Sequence, residues 1–523
     1  MTEKLNNLLM YLISKSAVAM DSSVHGALAC EVRSTLFAQT AKILKGAGFR
    51  LVAEWAADET FFDRAFAVYA AYNEGQDYII IKSPLPFADS SFPTLARHFP
   101  AAYRLERQIE SLMGLNPGGH PDLRPWIKHE HWPEGAYPLR KSFDGAKAME
   151  RSQGSYRWIK AEGEGVFEIA VGPVHAGIIE PGHFRFQAVG EDIINLEERL
   201  GYVHKGIEKR FEALSWEEAV RLSGRVSGDS TVAHAVAFCM AAEEASGSLP
   251  PPRAFYLRAL MIERERIANH LGDIGAICND TGFGFLNCQF AILRERALRT
   301  NLNVFGHRLM MDRVCLGGVA ADVSKEGLEA ILDETSRLTD EFNRLVRIYE
   351  DNPSIEDRVY GTGILKPAAA KELGVVGFTA RASGQRLDAR IQNPFSPYDR
   401  FAPAVRVLTS GDVHARVWIR IEDIRDSIRL ICDIIKEMPG GMVRSAWSKP
   451  LPGLSGFSAV EGWRGEIIYW VQSAPDRNIS RCMVRDPSSM NWPALEQAIK
   501  GNIVPDFPLC NKSFNQTYSG HDL

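Results

Sequence analysis

Nowhere among the eight cysteines of this 523-residue chain do two stand in a C-x-x-C pair. Cys30, Cys239, Cys278, Cys288, Cys315, Cys432, Cys482 and Cys510 are scattered, so neither a zinc knuckle nor a redox dithiol is legible. Most of them read as small buried hydrophobes in a reducing cytoplasm. No run approaches the roughly 18–20 consecutive apolar residues of a membrane-spanning helix, and the longest candidates, such as 428–435, are broken by charges. A net charge of −5 provides no concentrated basic surface, which argues against nucleic acid as a partner. No strand-like run leads through G-x-G-x-x-G into a helix, so direct NAD binding is not expected. Internal repeats and low-complexity segments are also missing.

What is present is ordinary globular protein: 45% hydrophobic and 24% charged residues, long enough at about 100–200 residues per domain for roughly three domains. The N-terminal Met1–Met20 reads as an amphipathic first helix and not a signal peptide, because Glu3 precedes the apolar stretch Leu8–Ile13, Lys15 follows it, and no small-residue cleavage pattern ends it. The first 145 residues show an α+β pattern. Thr60–Ala71 has helical spacing, Tyr78–Ile81 reads as a strand, and a helix at Tyr103–Met113 stops at the Gly/Pro cluster 116–121. Residues 146–165 are small and polar and read as a linker.

Beyond the linker, Val166–Val171 and Phe184–Val189 suggest a small antiparallel sheet. Apolar residues then recur at helical spacing over Thr231–Ala245, Arg253–Ile277, Leu286–Val304 and Lys325–Tyr349, which implies a bundle core. A helix at Arg420–Glu437 and strands at Gly462–Val471 and Ile479–Val484 follow. The fold class is therefore α+β: an N-terminal α+β domain (1–145), then a large domain (166–523) with a long-helix core and small antiparallel sheets.

Several motifs carry a resemblance. Gly172-Pro173-Val174-His175, Glu180-Pro181-Gly182-His183-Phe184-Arg185, Tyr202 to Lys209 (YVHKGIEK), Arg381-Ala382-Ser383-Gly384 with Asp388 and Arg390, Gly411-Asp412-Val413, Glu461 to Glu466 (EGWRGE) and Val504 to Leu509 (VPDFPL) occur in order. Together they resemble the large subunit shared by energy-converting [NiFe] hydrogenases and respiratory complex I, where it forms the quinone pocket. Residues from about Arg107 to Phe143 resemble the small hydrophilic subunit beside it in complex I. Both in one chain resemble the fused large subunit of the hydrogenase-4 or formate hydrogenlyase type.

In the hydrogenases the resemblance places a C-x-x-C pair at each of two segments, Arg225–Ser230 and Asp506–Gly520, with four thiolates holding nickel and iron. Here Ser227, Ser230, Thr517 and Gly520 stand at those positions. Hydroxyls are hard and stay protonated, glycine offers nothing, and nickel selects soft thiolate, so no metal is expected. Asp229 or Ser230 is instead expected to cap the helix starting at Thr231. Such hydrogenases also carry a C-terminal extension removed after nickel insertion, whereas this sequence ends at His521-Asp522-Leu523; the expectation is that no tail remains to be matured.

Complex I uses the same cavity for quinone, holding the head group with a tyrosine, a histidine and a carboxylate that orients it. The resemblance puts Gly228 at the tyrosine, His175 and His183 both at the histidine, and Asp280 at the carboxylate. For both histidines the plainer reading is a hydrogen bond within a tight Gly/Pro hairpin. Glu208 follows His204 by four residues, a spacing that puts both on one helix face. In the related families a glutamate there begins a proton path; its alternative is an exposed salt bridge with Lys205, Lys209 or Arg225. Arg381, Asp388 and Arg390 read as a charged cluster tying the helical core to the C-terminal segment, and Glu263-Arg264-Glu265-Arg266 as a solvated or intersubunit helix face.

Three functions remain in view. One is a hydrophilic core subunit of a membrane-associated oxidoreductase complex, passing electrons to quinone or another acceptor. The second is a non-catalytic scaffold or coupling subunit of such an ion-translocating complex, and the third, an active hydrogenase, is nearly excluded by its ligands. The implied partners are an iron–sulfur small subunit bearing the clusters, a ferredoxin-like subunit and integral-membrane antiporter-like subunits. The implied location is peripheral, on the cytoplasmic side of the inner membrane, with no cofactor bound by the chain itself.

Overall fold

The computed structural model describes residues 10–12, 18–86, 90–175 and 179–523; most of the helix expected over Met1–Met20 falls outside them. Strands Val18–Met20, Leu28–Val32, Asp77–Pro84, Phe66–Glu74 and Arg50–Asp58 lie side by side in that order, with only the Leu28–Val32 pairing to Asp77–Pro84 parallel. The segment Thr60–Ala71, expected as a helix, is a short 3-10 turn at Thr60–Phe62 and then the strand Phe66–Glu74. Its alanines misled the reading by their helix propensity. Alternate residues bury on both faces, Val68, Ala70 and Tyr72 against the helix side and Ala67, Tyr69 and Ala71 against a second sheet. A strand buried on both faces loses the alternation that betrays it.

The second sheet runs Ile479–Arg485, Glu466–Ser473, Ser455–Glu461 and finally Val24–His25, an N-terminal piece added in parallel to a C-terminal sheet. The two sheets meet face to face over Trp55, Tyr69, Tyr78, Phe457, Trp470 and Met483. Trp55 stacks on Tyr69 with centroids 5.2 Å apart, and Tyr69 lies 4.9 Å from Trp470. Polar groups close the seam. Arg481 and Arg485, four apart on one strand, donate to the carbonyls of Ala56 (3.2 Å) and Val52 (3.1 Å) on the edge strand Arg50–Asp58. Guanidinium groups thus occupy carbonyls that an exposed edge would offer to another chain. Glu466 accepts from Arg50 (2.7 and 3.0 Å), Tyr78 (2.6 Å) and Arg485 (2.5 Å). Burial alone would raise its carboxyl, but the two arginines prevail and bring it down to about 2.

On its other face this C-terminal sheet carries the helix Thr231–Ser246, buried almost all round, as its alanines permit. Gly456 makes the approach possible, since a Cβ there would lie 1.9 Å from the carbonyl of Ala241. The helices Pro252–Asp280, Gly284–Phe305, Lys325–Glu350 and Val413–Lys436 then form the expected bundle, all contributing to the largest hydrophobic core. Val413–Lys436 begins seven residues before the expected Arg420, capped by Asp412, whose carboxylate accepts from Ala415 N at 2.8 Å. A three-stranded antiparallel sheet, Val166–Val171, His183–Val189 and Asp192–Arg199, lies beside the C-terminal helices through Phe184, Phe186, Phe507 and Tyr518. No helix among the described residues is long and apolar enough to cross a membrane.

The run 263–266 does not face solvent: all four residues are buried. Glu263 accepts from Arg266 (3.1 Å), Arg390 (3.1 Å), Tyr398 (2.6 Å) and Ser427 (2.6 Å), while Arg266 also donates to the carbonyls of Glu461 and Gly462. Arg264 reaches Glu334 at 3.0 Å. Charge alone suggested exposure, but a paired and fully hydrogen-bonded charge can be buried. Arg381 pairs with Asp423 on the bundle, and Asp388 grips Arg390 while Ala389 N donates to Glu461 of the C-terminal sheet.

Candidate functional site

Two segments separated by 290 residues come together in the structure. The Ser227 hydroxyl donates to Asp229 at 2.6 Å, and its oxygen lies 3.2 Å from Thr517 Oγ1, within hydrogen-bonding distance. Thr517 Oγ1 accepts from Gly520 N at 3.1 Å, capping the helix Tyr518–Asp522. Ser230 donates to Asp229 at 3.3 Å and lies 3.4 Å from Arg464 Nη1. Ser227, Ser230, Thr517 and Gly520 therefore form one linked floor.

A nickel–iron centre does not fit this floor. Its side chains are three hydroxyls already hydrogen-bonded to their surroundings, and soft metal prefers thiolate. Nor is there room at the fourth position: a Cβ on Gly520 would lie 2.6 Å from Cγ and Oδ2 of Asp486. Asp486 cannot easily yield, because it receives His234 Nε2 at 3.0 Å and Ser488 N at 2.7 Å. Burial tends to raise its carboxyl, yet His234 and Arg464 leave it at about 2. Gly520→Ala is accordingly expected to cost about 1–3 kcal/mol through overpacking, measured by thermal denaturation; an unchanged melting temperature would show that Asp486 moves aside freely.

Thr517, with the neighbouring Asp229, also lines a cavity of about 570 Å³. Val171, Ile179, Phe184, Phe507, Pro508 and Tyr518 supply apolar wall; His175, Glu180, Asp229, Asp280, Arg464 and Lys512 bring polar and charged groups. Arg464 is the fixed point. It stands in a turn whose Gly465 (φ +139°) lets the chain seat against Gly377 (φ +66°), where Cβ atoms would lie within 2.0–2.8 Å of backbone. Its guanidinium donates twice to Asp229 (2.6 and 2.7 Å) and once to the Asn515 carbonyl (2.6 Å). Asp229 is the open partner, with 38% of its side chain accessible against 4% for Arg464. Burial pushes its carboxyl up, but Arg464 and Ser227 outweigh that and hold it below the usual range. The pair thus presents an ionised carboxylate to the cavity, with its counter-charge behind.

The sequence-derived site residues divide. His175 and Asp280 line the cavity, and His183 does not. His175 Nε2 is 2.8 Å from the Gly182 carbonyl and His183 Nδ1 3.2 Å from that of Gly172, so each ties one arm of the hairpin to the other. Asp280 ends the helix Pro252–Asp280; burial raises its carboxyl and Lys512 opposes this. No hydrogen bond joins Asp280 to either histidine among the described residues. Gly228 lies in the turn Gly228–Ser230, where a Cβ would meet nothing within 4 Å.

Neither Asp229 nor Ser230 caps the helix at Thr231; Glu265 does so from the neighbouring helix, accepting from Val232 N (2.7 Å) and Ala233 N (3.2 Å). Burial lifts its carboxyl to about 8 despite those bonds. Asp229 is drawn away because Arg464 competes for it, which local spacing cannot reveal. Glu208 is likewise not in the exposed salt bridge expected as its alternative, nor on one helix face with His204. His204 precedes the helix Ile207–Phe211 and its Nδ1 lies 2.7 Å from the Asp522 carbonyl, so the two do not share a face. Glu208 is buried and accepts from Arg481 (3.1 Å) and Val484 N (3.0 Å), whereas Lys209 pairs with Glu212 and Arg225 with Asp312.

Sequence reasoning missed Arg464 and Tyr518. An arginine in a glycine-flanked turn between two strands was a usable signal for the first. For Tyr518 there was none: burial keeps its phenol protonated far above neutrality, a donor-capable group in the cavity wall.

Comparison with known proteins agrees with this architecture. The sequence profile for "Respiratory-chain NADH dehydrogenase, 30 Kd subunit" matches residues 30–149, and that for the "49 Kd subunit" matches residues 280–453. "Formate hydrogenlyase subunit 5" of Escherichia coli K12 is 30% identical over 473 residues, 89% of this chain and 83% of that protein. "Hydrogenase-4 component G" of the same organism is 31% identical, covering 89% and 82%. The C/D polypeptide of the NADH-quinone oxidoreductase of Phocaeicola vulgatus is 29% identical, covering 74% and 78%. The chain belongs to the family of fused 30 Kd-type and 49 Kd-type hydrophilic subunits that includes these hydrogenase-4, formate hydrogenlyase and complex I proteins.

Proposed function

We propose that this chain is the cavity-bearing core subunit of a membrane-associated, ion-translocating oxidoreductase complex and works without a nickel–iron centre, delivering electrons to quinone or a similar carbonyl acceptor. The observation that carries this reading is a cavity of about 570 Å³, a volume suited to a small organic ligand, where Asp229 and Thr517 bring the converging segments 227–230 and 517–520 into its wall. A quinone reduced there takes up two electrons and two protons. The chain's part is to hold its head group, with His175 and Tyr518 as hydrogen-bonding groups along the wall and Phe184 and Phe507 as apolar contact. Asp229 and Arg464 neutralise each other in the wall, which suits a neutral ligand. Glu208 is the proton-path residue. Electrons come from an iron–sulfur small subunit, the arm also includes a ferredoxin-like protein, and antiporter-like membrane subunits hold it at the cytoplasmic face of the inner membrane.

The scaffold reading has one observation of its own: Arg464 and Asp229 satisfy each other, leaving the cavity's strongest charges already paired. Binding of a short-chain quinone analogue to the intact complex separates the two. Gly228→Tyr sharpens the test, because its Cβ has open space and a phenol there restores a donor. That variant is expected to bind the analogue more tightly by up to about tenfold, the worth of one hydrogen bond. No binding by either protein would leave the scaffold reading standing, and about one nickel per chain by elemental analysis would overturn both.

A further inference from the structure

Away from the main cavity, a carboxyl group lies buried with nothing to hold it. Glu54 is in the strand Arg50–Asp58, 5% exposed, and both carboxyl oxygens lack a hydrogen-bond partner among the described residues. It faces a cavity of about 30 Å³ lined also by Gln108, Glu208, Arg481, Arg485 and Ser489, with Leu105, Ile109, Met113 and Leu139 as apolar wall. An isolated carboxylate in such a place is prohibitively costly, and a neutral carboxyl is not. The volume admits a water molecule, and the lining offers the two or more polar partners a buried water needs.

We propose that Glu54 is a proton-binding site: it carries a proton at neutral pH and is linked through water in this cavity to the Glu208–Arg481 pair. Titratable groups converge on it from each packed element. Glu106 comes from the helix Ala102–Met113, Tyr72 from the neighbouring strand, Glu208 from the helix Ile207–Phe211, and Arg481 and Arg485 from the C-terminal sheet. Glu106 accepts from Thr94 (2.5 Å) and from the amides of Leu95 and Ala96, and His120 stands 3.8 Å beyond it. These bonds favour the charged form of Glu106, although burial still lifts it to about 7. Burial first, and Glu106 second, raise Glu54 well above the ordinary carboxyl range. Arg481 gives no relief, because its guanidinium is engaged by Glu208 and by the carbonyls of Ala56 and Cys482. The seam between the N-terminal and C-terminal sheets thus contains the Glu208–Arg481 ion pair and, facing the same cavity, a carboxyl with no hydrogen-bond partner among the described residues.

The sign of the pH effect follows. A carboxyl whose folded value lies above its unfolded value of about 4.3 contributes stability fully below that pH and loses it as pH rises through the folded value. Glu54→Gln, an isosteric neutral variant, is expected to flatten the loss of thermal stability as pH rises above about 4.3 and to release one proton fewer than the parent when unfolded at pH 8. Infrared spectroscopy with labelled glutamate is expected to show one fewer protonated carboxyl band at that pH. Glu106→Gln retains Glu54 and removes its charged neighbour, so it is expected to shift the Glu54 titration downward. A crystal structure of the chain is expected to place water between Glu54 and Glu208. Identical band counts and pH–stability curves for parent and Glu54→Gln would overturn the protonated site, and a dry cavity would overturn the link to Glu208.

Discussion

Replacing Glu263 with alanine is expected to destabilise the helical core by about 3–5 kcal/mol, the cost of breaking a buried ion pair by removing one member. Four donors converge on this carboxylate, from Arg266, Arg390, Tyr398 and Ser427. Its carboxyl falls to about 2 because Arg266 and Arg390 outweigh the burial that would raise it. The surroundings are balanced: Glu263, Asp388 and Asp423 offset Arg266, Arg381 and Arg390, while burial followed by Asp388 lifts Glu461 to about 8 and leaves it neutral at pH 7. Loss of Glu263 leaves one uncompensated guanidinium, and ionisation of Glu461 is the available response. The variant is therefore expected to be least stable at acid pH, where Glu461 cannot respond. Thermal denaturation at two pH values checks this, with Lys325→Ala as the control. That side chain is 85% exposed and its pairing with Glu329 is screened, so no measurable change is expected. Equal melting temperatures for parent and Glu263→Ala would show that the network is not what holds the bundle to the C-terminal sheet.

The elements read well from sequence are those whose signal is local. The helices Thr231–Ser246, Pro252–Asp280 and Lys325–Glu350 appear where apolar spacing placed them, and Tyr78–Ile81 lies within a strand. The strand Phe66–Glu74 was hidden because burial on both faces removes the alternation by which strands are recognised. Asp229 and Glu208 show why the site was only half legible. Each has the right residue type in the right motif, but its partner, Arg464 or Arg481, lies more than 200 residues away. Spacing constrains which residues share a face and says nothing of what that face meets. The same limit made the 263–266 run look solvated, since the groups neutralising it begin at residue 334. The convergence of 227–230 with 517–520 was available only through the family resemblance, and the absence of room at Gly520 not even then.

Glu208→Gln is expected to lower proton-coupled turnover of the intact complex by about 100-fold or more, the range for loss of a positioned proton-transfer group. Its interpretation depends on Arg481. The glutamine oxygen still accepts from Val484 N, but Arg481 loses its carboxylate and keeps only the carbonyls of Ala56 and Cys482. A buried guanidinium left in that state destabilises the seam between the sheets, so reduced turnover alone does not distinguish a proton carrier from a structural anchor. The double variant Glu208→Gln/Arg481→Gln does. Removing the stranded charge is expected to restore most of the melting temperature lost by the single variant, since both partners of the ion pair are then neutral. If Glu208 carries protons, turnover stays low in the double variant although its stability returns. If turnover recovers with stability, Glu208 is an anchor for Arg481, and the proton path of this complex runs elsewhere.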